Sequence, residues 1–220
     1  MIDFHTDVRD PGVEMLRASG HPFVLIGHPE DTSLPHVDVA NHDAGLTVGR
    51  AFLERGYASV GFLGVAGSPA SLDRLSGLQL ALSEVGLAIR PNHLVMLKRT
   101  HSVQGLESFG DDAMRGWIKA GSTPRAVLTS SDRIAHGLMY ACREAGLRIP
   151  DDVAVVGFDD EPMSAHLDPP LASVEQPLRL LGYEATGVLL RMLAGDPPDA
   201  SVRVLPTRLI ERASLGPLLR

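Results

Sequence analysis

Short apolar runs alternate with longer amphipathic stretches along most of this chain. The runs Phe23 to Gly27, Val60 to Gly64, Leu94 to Leu97, Ala126 to Thr129, Val153 to Phe158 and Val202 to Leu205 are rich in Val, Ile, Leu and Phe. Runs that are apolar at nearly every position belong to strands covered on both faces. Between them, Gly45 to Glu54, Ser71 to Val85, Gly110 to Lys119, Ile134 to Glu144 and Leu178 to Leu193 place apolar residues three and four apart, which predicts crossover helices. Several of these close on glycine after a polar turn, as at Glu54-Arg55-Gly56 and Glu144-Ala145-Gly146, because glycine takes the left-handed C-terminal cap at least cost. The alternation predicts an α/β fold with parallel sheets flanked by helices. Proline punctuation at Pro162, Asp168-Pro169-Pro170, Pro177 and Asp196-Pro197-Pro198 breaks the tail into pieces, as expected of a chain crossing between lobes.

Composition narrows the function classes. The chain of 220 residues, 44% hydrophobic, can bury one large core or two smaller ones. A formal charge of −7 with no Lys/Arg run leaves no positive surface to displace counterions from phosphates, so this stretch alone is not expected to grip DNA. The single cysteine, Cys142, lies in an apolar helical stretch, which predicts a buried inert thiol and excludes a disulfide within the chain. No apolar run approaches the roughly twenty residues that span a bilayer, and the opening Met1-Ile-Asp-Phe-His lacks a secretory pattern, so a cytoplasmic protein without membrane contact is expected. His28, His36 and His42 lie in loop-like sequence without metal-ligand spacing and read as solvated or hydrogen-bonded, and no metal site is predicted. The glycines from Gly61 to Gly67 miss the dinucleotide spacing, so no cofactor is predicted, and no nucleophile elbow points to covalent catalysis. Trp117 falls at core spacing.

Four polar clusters follow apolar runs, at the strand ends where open α/β sheets present a ligand crevice. In Asp73-Arg74-Leu75-Ser76-Gly77, Arg74 either forks hydrogen bonds to a ligand or sits solvated at a helix start. In Thr129-Ser130-Ser131-Asp132, the last two residues cap the following helix, line the crevice, or do both. In Gly157-Phe158-Asp159-Asp160, two adjacent carboxylates need partners, so one is expected to cap the turn at Pro162 while the other faces the crevice. Gln176, just before a proline-opened helix, reads either as a cap or as a ligand contact.

These residues resemble a known family. Asp132 to Leu138, the stretch Ala145 to Asp160, Pro169 to Pro177, Leu181 to Ala185 and Leu205 to Ser214 look like the lactose-repressor (LacI/GalR) transcription regulators, with Arg55-Gly56-Tyr57 and Arg74-Leu75-Ser76-Gly77 in the family's order. The resemblance implies a two-lobed fold similar to periplasmic sugar-binding proteins. One lobe would comprise 1–41 and 176–204, and the other 42–175 and 205–220. A small polar metabolite, a sugar or nucleoside-like compound, would bind between lobes, bridged by Arg74 and Asp159, with Ser131, Asp132, Gln176 and Asn41 at or near the cleft. Ala40 departs from the family's acid before Asn41, and Ser131 from its asparagine before Asp132. By the same resemblance the ligand would set operator affinity in a homodimer, with DNA held by a helix-turn-helix headpiece. Neither that headpiece nor the first βα units are found before Phe23, so a truncated first lobe is expected. A transport-type solute-binding protein and a small enzyme using Asp159 or Asp160 as acid or base are the alternatives.

Overall fold

A computed structural model describes residues 2–4, 11–29, 31–98, 105–196 and 203–218. Ten strands form two sheets. The first holds β1 (Ile2–Phe4), β2 (Val24–Ile26), β3 (His36–Val39) and β9 (Arg203–Leu205), in that order and all parallel. The second has the order β10 (Arg208–Ile210), β8 (Ala172–Glu175), β7 (Ala154–Asp159), β6 (Ala126–Thr129), β4 (Val60–Val65) and β5 (Leu94–Leu97). All its pairs are parallel except β10 with β8. The chain passes between sheets three times, after β3, after β8 and after β9.

The helices are α1 (Pro11–Ser19), α2 (Asn41–Glu54), α3 (Pro69–Ser83), α4 (Leu106–Lys119), α5 (Asp132–Glu144) and α6 (Leu178–Leu193). Side chains of a strand alternate between faces, so one apolar run feeds two cores. Phe62, Leu128, Val156 and Phe158 point to the core shared with α2, α3 and α6. Leu63, Val127 and Val155 point to the core under α4 and α5, where Trp117 and Cys142 are also buried. The Trp117 indole N–H is satisfied by the Asn92 carbonyl at 2.7 Å. Helices α2 and α3 touch backbone to backbone: a Cβ on Gly77 would stand 1.9 Å from the His42 carbonyl oxygen, and one on Gly45 2.0 Å from that of Arg74. That approach brings Asn41 and Arg74, one from each helix, into contact.

Three elements match their sequence expectation to the residue: β5, β6 and α6. The other expected helices start two to four residues earlier, because caps and polar first turns carry no apolar period. Val202, expected to open the last strand, lies outside the described residues, as do Pro197 and Pro198, and the strand runs from Arg203. One expectation is corrected: a βα unit, β1 and α1, does stand before Phe23, with β1 paired to β2. Strands β3, β8 and β10 were not expected either. His36 is thus a strand residue, 4% exposed, rather than a loop histidine.

Candidate functional site

Four of the six expected residues, Arg74, Asn41, Asp159 and Gln176, gather where the chain crosses between the sheets, around one arginine. Arg74, on the first turns of α3, is buried at 8% exposure rather than solvated. Its Nε donates to Asn41 Oδ1 at 2.8 Å and its Nη1 to the Ser130 carbonyl at 2.6 Å. The guanidinium carbon lies over the Phe158 ring, 3.3 Å from its centroid, a cation–π contact that helps hold the fork in place. Burial lowers its pKa to about 10 against the pull of Asp159, Asp38 and Asp73, so it stays cationic at neutral pH. A guanidinium has five N–H donors, and these two bonds leave donors over for a guest.

Asp159 ends β7 at φ 114, a backbone conformation that costs a residue with a side chain of order 1 to 3 kcal/mol. Burial pushes its carboxyl up to about 6, with Arg74 and a hydrogen bond from Gln176 pulling the other way. The Gln176 amide Nε2 donates to Asp159 Oδ1 at 2.5 Å. Gln176 therefore does not cap α6, whose first turn has no side-chain cap. Asp160, at φ 53, turns away and accepts from Arg212 Nη1 at 2.6 Å. Neither acid caps the turn at Pro162, contrary to expectation.

That task falls to Asp132. Its carboxylate accepts from the Glu161 N–H at 2.8 Å, from Ser164 Oγ at 2.5 Å and from Ser173 Oγ at 2.5 Å, and the residue is 0% exposed. Burial raises its pKa and those three bonds oppose the rise. Gly157 is required beside it, since a Cβ there would stand 2.0 Å from Asp132 Oδ1. Ser131 is the N-cap of α5, its Oγ accepting from the Ile134 N–H at 3.4 Å. The structure thus brings Arg74, Asn41, Asp159 and Gln176 together, and sets Ser131 and Asp132 into helix and turn anchoring.

Sequence reasoning missed Asp38. It is buried on β3, and its carboxylate receives Asn41 Nδ2 at 3.2 Å, which turns the Asn41 carbonyl toward Arg74. Burial raises the Asp38 pKa, while the Val39 N–H, His28 and Arg74 pull it down. Its setting, His36-Val37-Asp38-Val39, mixes polar with apolar residues and so carries no strand-end signal of the kind that marked Arg74 and Asp159. His28 Nδ1 stands 3.1 Å from Asp38 Oδ2 and 3.2 Å from Asp73 Oδ2.

A cavity of about 130 Å³ lies between Ile26, His28 and Asp38 on one side, Ala70 and Arg74 on another, and Gln176, Leu178 and Leu181 on the third. A wider one of about 290 Å³ shares the His28 and Asp38 wall and reaches Asn41 and Asp73. Apolar walls with a few convergent polar groups suit a small neutral guest with hydroxyls. Among the described residues no group of three His, Cys, Asp or Glu side chains is placed to hold a metal ion, and burial pushes the Cys142 thiol up to about 12, which suppresses the thiolate. No helix among them is long and apolar enough to cross a membrane.

Comparisons with known proteins agree with this architecture. Residues 50–215 match the model of the periplasmic binding protein-like domain. The HTH-type transcriptional regulator CelR of Thermobifida fusca is 29% identical over 225 residues, covering 97% of this chain and 62% of its own. The HTH-type transcriptional regulator MalR of Streptomyces coelicolor is 32% identical over 204 residues, covering 91% and 58%. A solved transcriptional regulator CelR–cellobiose complex superposes with a TM-score of 0.86 at 28% identity, over 97% of this chain and 64% of that one. A regulatory protein of the LacI family from Chloroflexus aggregans gives 0.84 at 29%, over 97% and 75%. The chain therefore spans about three fifths of the length of these two curated relatives. The proteins it resembles are transcription regulators rather than enzymes.

Proposed function

The chain belongs to the periplasmic binding protein-like domain family, in the form found in LacI-type transcription regulators, and from that premise we propose that it is the effector-binding domain of a DNA-binding repressor. The supporting observation is Arg74: a buried cation between two sheets, oriented by Asn41 and Phe158, with Asp159 beside it and donors left over. A small polar metabolite, a sugar or a nucleoside, fills the space between lobes 1–41 with 176–204 and 42–175 with 205–220. Arg74, Asp159, Gln176 and Asn41 contact it. Ser131 and Asp132 hold the loops that present those groups. The guest is not altered; it shifts the relative orientation of the lobes by its differential affinity for the two arrangements. In the whole protein, a cytoplasmic homodimer, that orientation sets how two DNA-binding heads address the operator.

A thermal-shift panel of mono- and disaccharides and nucleosides should yield at least one compound that raises the melting temperature in proportion to the logarithm of its concentration. Calorimetry with that compound should show Arg74→Ala losing roughly 2 to 5 kcal/mol of binding, the cost of removing one partner of a buried charge-assisted pair. Unchanged affinity in Arg74→Ala would remove the arginine, and with it this reading of the site.

A further inference from the structure

His28 stands at the mouth of the site with a carboxylate from each side within reach. It follows the last residues of β2, so it travels with the first sheet, as does Asp38 on β3. Asp73 is on α3, which packs on α2 and on β4 of the second sheet. The three side chains come from segments far apart in sequence, and Nδ1 is 3.1 Å from one carboxylate oxygen and 3.2 Å from the other. A ring nitrogen facing two acceptors must carry its hydrogen there, and it has one hydrogen to give. That hydrogen can be directed to Asp38, within its own lobe, or to Asp73, across the gap.

We propose that His28 is a clasp between the lobes, holding them together through Asp73 when they are close and keeping Asp38 as the alternative acceptor when they part. The placement supports this. His28 and Asp38 line both the smaller and the wider cavity, and Asp73, on the wall of the wider one, immediately precedes Arg74. Moving Asp73 away therefore moves Arg74 too, and the clasp couples lobe separation to the placement of the guanidinium. Engagement with Asp73 depends on lobe position, whereas the Asp38 contact is internal to one sheet and survives opening. Neither statement depends on which effector the site takes.

Lobe separation can be read without any ligand. Spin labels on exposed Ser19 of α1 and exposed Ser83 of α3, with Cys142 buried out of reach, report the distance between lobes by double electron–electron resonance. His28→Ala and Asp73→Ala should each move the mean distance outward by more than the native width, and the double variant should move it no further than either alone. Superimposable distributions in all four proteins, an inward shift, or single effects that add would overturn the clasp. Asp73 is only partly buried on its helix, so Asp73→Ala keeps the test open should His28→Ala fail to fold.

Discussion

Two groups of buried polar side chains lie at the carboxyl ends of the second sheet's strands, and each is built around an aspartate. Asp132 has three donors aimed at its two oxygens and no exposure, so its cluster is closed. Asp159 has one side-chain donor, Gln176, and a cation beside it, on a backbone held at positive φ. Both carboxyls are raised by burial. The difference teaches how to tell an anchor from a contact: an anchor has its lone pairs filled from within the chain, while a contact keeps capacity that only a guest can fill.

Replacing Asp132 is the strongest way to test that contrast. Asp132→Ala strands three donors, two of them serine hydroxyls at 0% exposure, and should cost roughly 3 to 5 kcal/mol of stability in urea unfolding followed by circular dichroism. Asp159→Asn should act in the opposite direction. The folded carboxyl sits at about 6 against an ordinary 3.8, so the folded state prefers the protonated form. Its contribution to stability is complete below about pH 4 and is lost as pH rises through about 6. At pH 7 the neutral amide should therefore stabilise the protein by roughly 1 to 3 kcal/mol. The same substitution should weaken effector binding, and wild-type affinity should fall as pH drops below about 6. A destabilised Asp159→Asn at pH 7 would erase the distinction between the two aspartates.

Smaller effects sharpen the comparison. Ser131→Ala removes the α5 cap and should cost about 1 kcal/mol of stability with effector affinity unchanged. A matching loss of affinity would move Ser131 from anchoring into the contact set. Gln176→Ala should leave unfolding nearly unmoved, weaken binding by about 1 kcal/mol, and raise the Asp159 titration midpoint in a carboxyl-detected NMR series, because its hydrogen bond favours the charged form. A midpoint that stays in place would detach Gln176 from Asp159.

Much of the second sheet was legible in advance. Strands buried on both faces, such as Leu128 within β6, must be apolar throughout, and that is a local property of the chain. Strands β3 and β10 were not, since His36-Val37-Asp38-Val39 and Arg208-Leu209-Ile210 are short and mix charge with apolar residues. Their strand character comes from the neighbours they pair with, β2 and β9 for the one, β8 for the other. Of the site, Arg74 and Asp159 were visible as charged residues just past apolar runs. Asp38 and His28 were not, because Asp38 bears on Arg74, and His28 on Asp73, only once α3 has packed beside them.

Local chemistry along the sequence was sufficient to specify an α/β chain, the strand ends that carry polar groups and a buried cysteine. Periodicity and charge are properties of neighbouring residues, so no folding is needed to read them. Tertiary structure alone decided that Asp132 is enclosed by donors while Asp159 lies beside Arg74 and Gln176, and that His28 meets carboxylates from both β3 and α3. A polar group is an anchor or a contact according to how many of its hydrogen-bonding positions the rest of the fold fills, and that count exists only after distant segments have packed.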